Sequence, residues 1–73
     1  MGNLADDIER FILRKLAGEK GDIIILRRNE LADELACAPS QISYVLSTRF
    51  SVDRGFVVES RRGLGGFIRI ARI

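Results

Sequence analysis

Apolar residues recur along the first part of the chain at helical spacing. Ile8, Phe11, Ile12 and Leu16 lie three or four positions apart, with Leu4 and Ala5 one turn earlier, as on one face of a helix. Asn3 can cap the start, Asp6, Asp7 and Glu9 suit a helix N-terminus, and Gly18 and Gly21 end it. The pattern predicts a helix over about residues 4–17. The period then changes. Asp22–Arg27 is short and β-branched, which reads as a buried strand pairing with a later hairpin.

A second helical pattern follows. Asn29 is expected to cap it, with Leu31, Ala32, Leu35 and Ala36 on its inner face and a turn at Cys37-Ala38. Pro39 fits the first turn of a third helix, where its missing N–H costs nothing. Ile42, Val45 and Leu46 point inward from that helix, and Arg49 closes it with a charge suited to a C-terminus. Ser51–Gly55 reads as a loop. Phe56–Ser60 and Phe67–Ala71 read as two strands joined by the tip Arg61-Arg62-Gly63-Leu64-Gly65-Gly66. The order is α-β-α-α-β-β, an α+β arrangement that matches a winged helix-turn-helix. One domain spans 1–73, with the helix-turn-helix at about 29–49 and the wing at about 56–71. Ala32 supplies the small residue where two helices must cross closely. Ala36 stands at the turn, where most such units carry glycine.

Composition narrows the chemistry. With 73 residues, 47% of them hydrophobic, the chain is a small globular domain rather than a disordered one. No apolar run is long enough for a membrane helix, and the polar, acidic opening does not read as a signal peptide. Met1-Gly2 does not complete a myristoylation motif, because Asp6 stands where serine or threonine is required. Histidine is absent and Cys37 is the one cysteine, so neither an internal disulfide nor a zinc site is expected. Cys37 reads as a small core residue, compatible with a reducing cytoplasm. No nucleophile has an activating partner, so no enzyme and no cofactor are expected.

Charge is unevenly spread. Residues 1–40 carry six basic and eight acidic side chains, net −2, and residues 41–73 carry six basic and two acidic, net +4. Ten of the twelve basic residues are arginine, the residue best matched to phosphates and guanine edges. A basic hairpin directly after a helix-turn-helix points to duplex DNA. The third helix would then read bases in the major groove through Ser40, Gln41, Tyr44 and Thr48. Gln41 can pair bidentately with adenine, Ser40 can meet a phosphate or a base edge, and Tyr44 a phosphate or a thymine methyl. Arg28 and Arg49 flank the unit as phosphate contacts. The tip Arg62, Gly63, Leu64 and Gly65 would approach the minor groove, led by Arg62. The plain alternative for each is a solvated polar residue. Gly63-Leu64-Gly65-Gly66 lacks the spacing and following helix of a nucleotide-binding loop. Phe56, Val58, Phe67 and Ile68 read as core rather than base-stacking residues.

The segments Ala38-Pro39-Ser40-Gln41-Ile42-Ser43-Tyr44-Val45-Leu46-Ser47-Thr48-Arg49-Phe50 and Arg54-Gly55-Phe56-Val57-Val58-Glu59-Ser60-Arg61-Arg62-Gly63-Leu64-Gly65-Gly66-Phe67-Ile68-Arg69-Ile70 strongly resemble the CtsR family. The resemblance covers essentially the whole chain. It implies a bacterial repressor of class III stress (clp) genes, acting in the cytoplasm at the nucleoid. It also implies a homodimer on a tandem heptanucleotide operator, formed through a C-terminal dimerisation domain absent from this sequence. A wing that enters the minor groove and takes part in heat sensing is implied as well. So are a protein arginine kinase and a Clp protease as partners, with Arg62 matching the wing arginine open to phosphorylation. The family's wing usually carries four consecutive glycines, and here the second is Leu64. A leucine at positive φ would be strained, or its side chain could wedge against sugars. Ile73 still belongs to an apolar strand pattern, which reads as a domain cut from a longer protein. The rival readings are a protein-interaction or an RNA-binding winged-helix module of a larger assembly.

Overall fold

A computed structural model describes residues 3–18, 21–63 and 66–73. Its elements are α1 (Leu4–Ala17), β1 (Ile23–Arg27), α2 (Arg28–Glu34), α3 (Pro39–Arg49), a 3-10 turn (Val52–Arg54), β2 (Phe56–Ser60) and β3 (Phe67–Arg72). The expected order holds throughout. The three strands form one antiparallel sheet in the order β1-β3-β2. The early strand therefore does pair with the later hairpin, and β3 lies in the middle.

The sheet turns one face to the helices. In register, Ile24, Ile70 and Val58 form one row, and Leu26, Ile68 and Ser60 the next. Ile68 and Ile70 are fully buried against Ile8, Ile12 and Leu16 of α1, Leu31 and Ala32 of α2, and Ile42, Val45 and Leu46 of α3. Phe50, just past α3, meets Phe56 of β2 edge to face with ring centroids 4.8 Å apart, a favourable aromatic geometry. Strand alternation sends Phe67 to the other face, half-buried. The expected buried strand is in fact an edge strand. Ile24 is buried, but Ile23 and Ile25 remain 40% and 60% exposed, because a strand with helices on one side hides only every second residue.

Local chemistry sets the helix ends. The Asn3 side chain accepts the Asp6 N–H at 2.9 Å, the expected cap of α1. The start of α2 departs from expectation. The helix begins at Arg28 directly after β1, and no side chain caps it. The Arg28 N–H instead donates to the Gly66 carbonyl at 2.7 Å. A long-range backbone bond thus takes the place assigned to Asn29.

The turn between α2 and α3 is built around Ala36, at φ +54°. The Cys37 N–H reaches the Ala32 carbonyl at 2.9 Å, and the Ala36 N–H reaches Asp33 at 3.2 Å. This double closure is the Schellman ending, whose left-handed position usually belongs to glycine. Ala36 is accordingly exposed rather than on the inner face, and Leu35 is half-buried. Ala36→Gly is expected to stabilise the domain by about 1 kcal/mol. The thermal midpoint should rise by roughly 4–8 °C, followed by circular dichroism, and a lowered midpoint would contradict this.

Candidate DNA interface

The exposed face of α3 carries Ser40, Gln41, Tyr44 and Thr48, all solvent-accessible. Tyr44 is 62% exposed, an aromatic ring largely open to solvent. Two of these side chains have partners in their own helix. The Thr48 hydroxyl donates to the Tyr44 carbonyl at 2.9 Å, as does that of Ser47. The Gln41 Oε1 accepts the Ala38 N–H at 3.0 Å and so closes the first turn of α3. Ala38 has no side-chain acceptor to return the bond, and the Gln41 N–H goes to the Ala38 carbonyl at 3.0 Å instead. Gln41 keeps its amide donors and a second lone pair on Oε1. It is thus a cap with reading capacity left over.

The hairpin root is fastened to the helix-turn-helix. Besides the Arg28–Gly66 bond, Arg61 N–H donates to the Phe67 carbonyl at 2.8 Å, and Gly66 N–H to the Gly63 carbonyl at 2.9 Å. Gly63 and Gly66 both have positive φ, +88° and +79°, which glycine adopts without strain. A Cβ on Gly66 would lie 2.8 Å from the Arg28 Cβ and 3.3 Å from its Nη1. Arg28 is half-buried there. Arg62 and Gly63 are exposed. Leu64 and Gly65 lie outside the described residues.

Ion pairing sorts the arginines into two sets. Arg10, Arg27, Arg49, Arg69 and Arg72 each face a carboxylate. Among the described residues, Arg14, Arg28, Arg54, Arg61 and Arg62 form no ion pair. Three of these, Arg28, Arg61 and Arg62, belong to the wing or its root. Arg61 and Arg54, without an ion pair among the described residues, were not singled out from the sequence. A count of charges along the chain cannot show which arginines keep their charge available.

Arg49 departs from its expected place. Its Nη1 donates to Glu9 Oε1 at 2.7 Å and also to Asp6 Oδ1. On a helix of 3.6 residues per turn, Arg49 projects with Ile42, Val45 and Leu46, opposite Ser40 and Tyr44. It faces α1, not the exposed face. Asp6 and Glu9, read from the sequence as suited to a helix N-terminus, are its partners. The Asp6 carboxyl is held below the ordinary value of 3.8, first by the bond from Arg49 and then by a backbone bond at Asn3. The Arg49 guanidinium is shifted up, by Glu9 first and then Asp6. Burial raises the Cys37 thiol, and the residue packs half-buried against the core, which suits an unreactive side chain.

The Asp6 shift has a sign. The unfolded chain binds this proton more tightly, so the pair stabilises the fold above about pH 4 and that contribution fades as pH falls through the lowered value. Urea midpoints of wild type and Asp6→Asn should differ at about pH 5 and converge towards about pH 2. A gap that is constant across this range would contradict it.

A three-helix unit whose second and third helices meet at a tight turn, followed by a hairpin tied back to the start of the second, is a winged helix-turn-helix domain. No described helix is long and apolar enough to cross a membrane. Residues 3–73 match the family model of the CtsR N-terminal HTH domain, and the chain belongs to the CtsR family. It is 45% identical over 73 residues to the transcriptional regulator CtsR of Geobacillus stearothermophilus, covering 100% of this chain and 48% of that protein. It is 48% identical over 71 residues to CtsR of Bacillus subtilis (strain 168), covering 97% and 46%. The fold superimposes with a TM-score of 0.91 on a crystal structure of CtsR in complex with a 26-base-pair DNA duplex, at 45% identity, covering 97% of this chain and 47% of that one. The chain therefore spans about half the length of the curated relatives it matches.

Proposed function

We propose that this chain binds double-stranded DNA sequence-specifically, as the DNA-binding half of a stress-gene repressor, with α3 in the major groove and the wing in an adjoining minor groove. The observation that carries the reading is the bond from Arg28 N–H to the Gly66 carbonyl. It fastens the wing root to the helix-turn-helix and gathers around that junction arginines that have no acidic partner among the described residues. The likeness to CtsR held on a DNA duplex supports it.

In this reading Ser40, Gln41, Tyr44 and Thr48 face base edges and nearby phosphates. Arg28 contacts a phosphate at the wing root. Arg62 leads the tip into the minor groove, with Gly63, Leu64 and Gly65 following. Phosphorylating Arg62 would replace a cation by an anion and block its donors, releasing DNA by electrostatics alone. The protein arginine kinase and Clp protease, the homodimer and the cytoplasmic location implied by the family belong to the same proposal. So does the absence of an enzymatic role. Two linked domains would bind a tandem site far more tightly than one, because the second contact becomes intramolecular.

The test is a fluorescence titration of the chain against a duplex enriched by it from a randomised pool, a scrambled duplex, and duplex RNA of equal length. Preference for the enriched DNA, with affinity falling steeply as salt rises, is the expected result. Equal binding of RNA, or salt-insensitive binding, would overturn the reading in favour of an RNA-binding or a protein-interaction module.

A further inference from the structure

α3 is held by a narrow set of apolar contacts. Only Ile42, Val45 and Leu46 of its eleven residues are buried. Its end is held by Leu46 and by Phe50 just beyond it, and also by a polar anchor, because Arg49 reaches across to α1 and gives the same nitrogen to Asp6 and Glu9. All three side chains are partly shielded, with 27% of Arg49, 40% of Asp6 and 28% of Glu9 exposed. Asp6 and Glu9 are one turn apart on α1 and act from one face. Each charge also suits its own helix end, the acids at the start of α1 and the arginine at the end of α3.

We propose that Asp6, Glu9 and Arg49 are positioning residues that set the angle at which α3 presents its reading face. The inference rests on the DNA-reading role given to α3 above. Eleven residues make a helix about 16 Å long. A tilt of about 5° about its N-terminal turn moves the end that Arg49 holds, where Thr48 sits, by about 1.4 Å. Side-chain pairing to base edges tolerates far less, since recognition geometries need to be held to about 0.5 Å. Contacts to phosphates, made by long cationic side chains, tolerate more. Loosening this anchor therefore acts on base preference before it acts on general DNA affinity.

The experiment compares wild type, Arg49→Gln, Arg49→Lys, the double variant Asp6→Asn/Glu9→Gln and the single variant Glu9→Gln. Each is titrated with the enriched and the scrambled duplex at several salt concentrations, at a temperature where circular dichroism shows full folding. Arg49→Gln and the double variant should lose roughly tenfold in the ratio of enriched to scrambled affinity, with the salt slope unchanged. Arg49→Lys, whose ammonium can still sit between both carboxylates, should keep most of the ratio. If the double variant does not fold, Glu9→Gln keeps the Asp6 pair and should show a smaller loss in the same direction. An unchanged ratio in folded variants would overturn the proposal and leave a stabilising role only. A salt slope lowered by about 0.9 in Arg49→Gln would also overturn it, by making Arg49 a phosphate contact. A wild-type chain with no preference between the duplexes would instead overturn the DNA-reading role on which the inference stands.

Discussion

Gly66→Ala is expected to remove about 3 kcal/mol of folding stability, a large part of the roughly 4–11 kcal/mol typical of a domain this size. Two costs add. The residue has φ +79°, a left-handed conformation that costs an L side chain about 1–2 kcal/mol. The new Cβ would also lie 2.8 Å from the Arg28 Cβ, an atom fixed close to the backbone that cannot swing aside. Relief requires the wing root to move from α2, which stretches the 2.7 Å bond from Arg28 N–H to the Gly66 carbonyl. Gly63 provides the control. Its φ is +88°, but a Cβ there meets nothing within 4 Å, so Gly63→Ala should cost only about 1 kcal/mol. Urea unfolding of the two variants measures the difference, and equal losses would contradict the close approach at Arg28.

The second large effect falls on binding. Arg62→Ala is expected to weaken DNA binding and reduce the slope of log affinity against log salt by about one unit. Arg62 is exposed and among the described residues has no acidic partner, so its whole charge is available to a phosphate-lined groove. Arg10 is also exposed but is engaged by Asp7 at 3.5 Å. Arg10→Ala should leave the slope unchanged. Anisotropy titrations at several salt concentrations decide the matter, and an unchanged slope in Arg62→Ala would remove Arg62 from the contact set.

Much of the fold was legible because it is written in local periods. The α1 stripe, the Asn3 cap, Pro39 at the start of α3 and the alternation of β2 and β3 each depend on residues a few positions apart. Ala36 was only half legible: it was named as the residue at the helix-turn-helix corner, but also placed on the inner face of α2, and its exposed, left-handed position needed the structure. What escaped the sequence is long-range. The start of α2 is set by a carbonyl 38 residues further on, at Gly66, so the local capping rule chose Asn29 in error. The exposure of Ile23 and Ile25 follows from β1 being an edge strand with helices on one face only. Arg49 was placed among phosphate contacts because it is basic and ends the reading helix. The structure pairs its guanidinium with Asp6 and Glu9, 43 and 40 residues away, and only helix packing brings them together.

The same distinction sharpens the candidate interface. Position on α3 was enough to select Ser40, Gln41, Tyr44 and Thr48, because the apolar residues of that helix define the opposite face. It could not show that Gln41 also holds the first turn through Ala38. Nor could it separate arginines whose charge is spent inside the domain from those left for a ligand.

Methylation interference on the enriched duplex tests most directly whether helix and wing engage adjoining grooves at once. Guanine N7 lies in the major groove and adenine N3 in the minor groove, so the two modifications report on α3 and the wing separately. One block of major-groove interference and one of minor-groove interference about 5 base pairs away, roughly half a helical turn, are expected. In Arg62→Ala the minor-groove block should vanish and the major-groove block remain. Interference confined to a single groove in the wild-type chain would contradict simultaneous engagement by α3 and the wing.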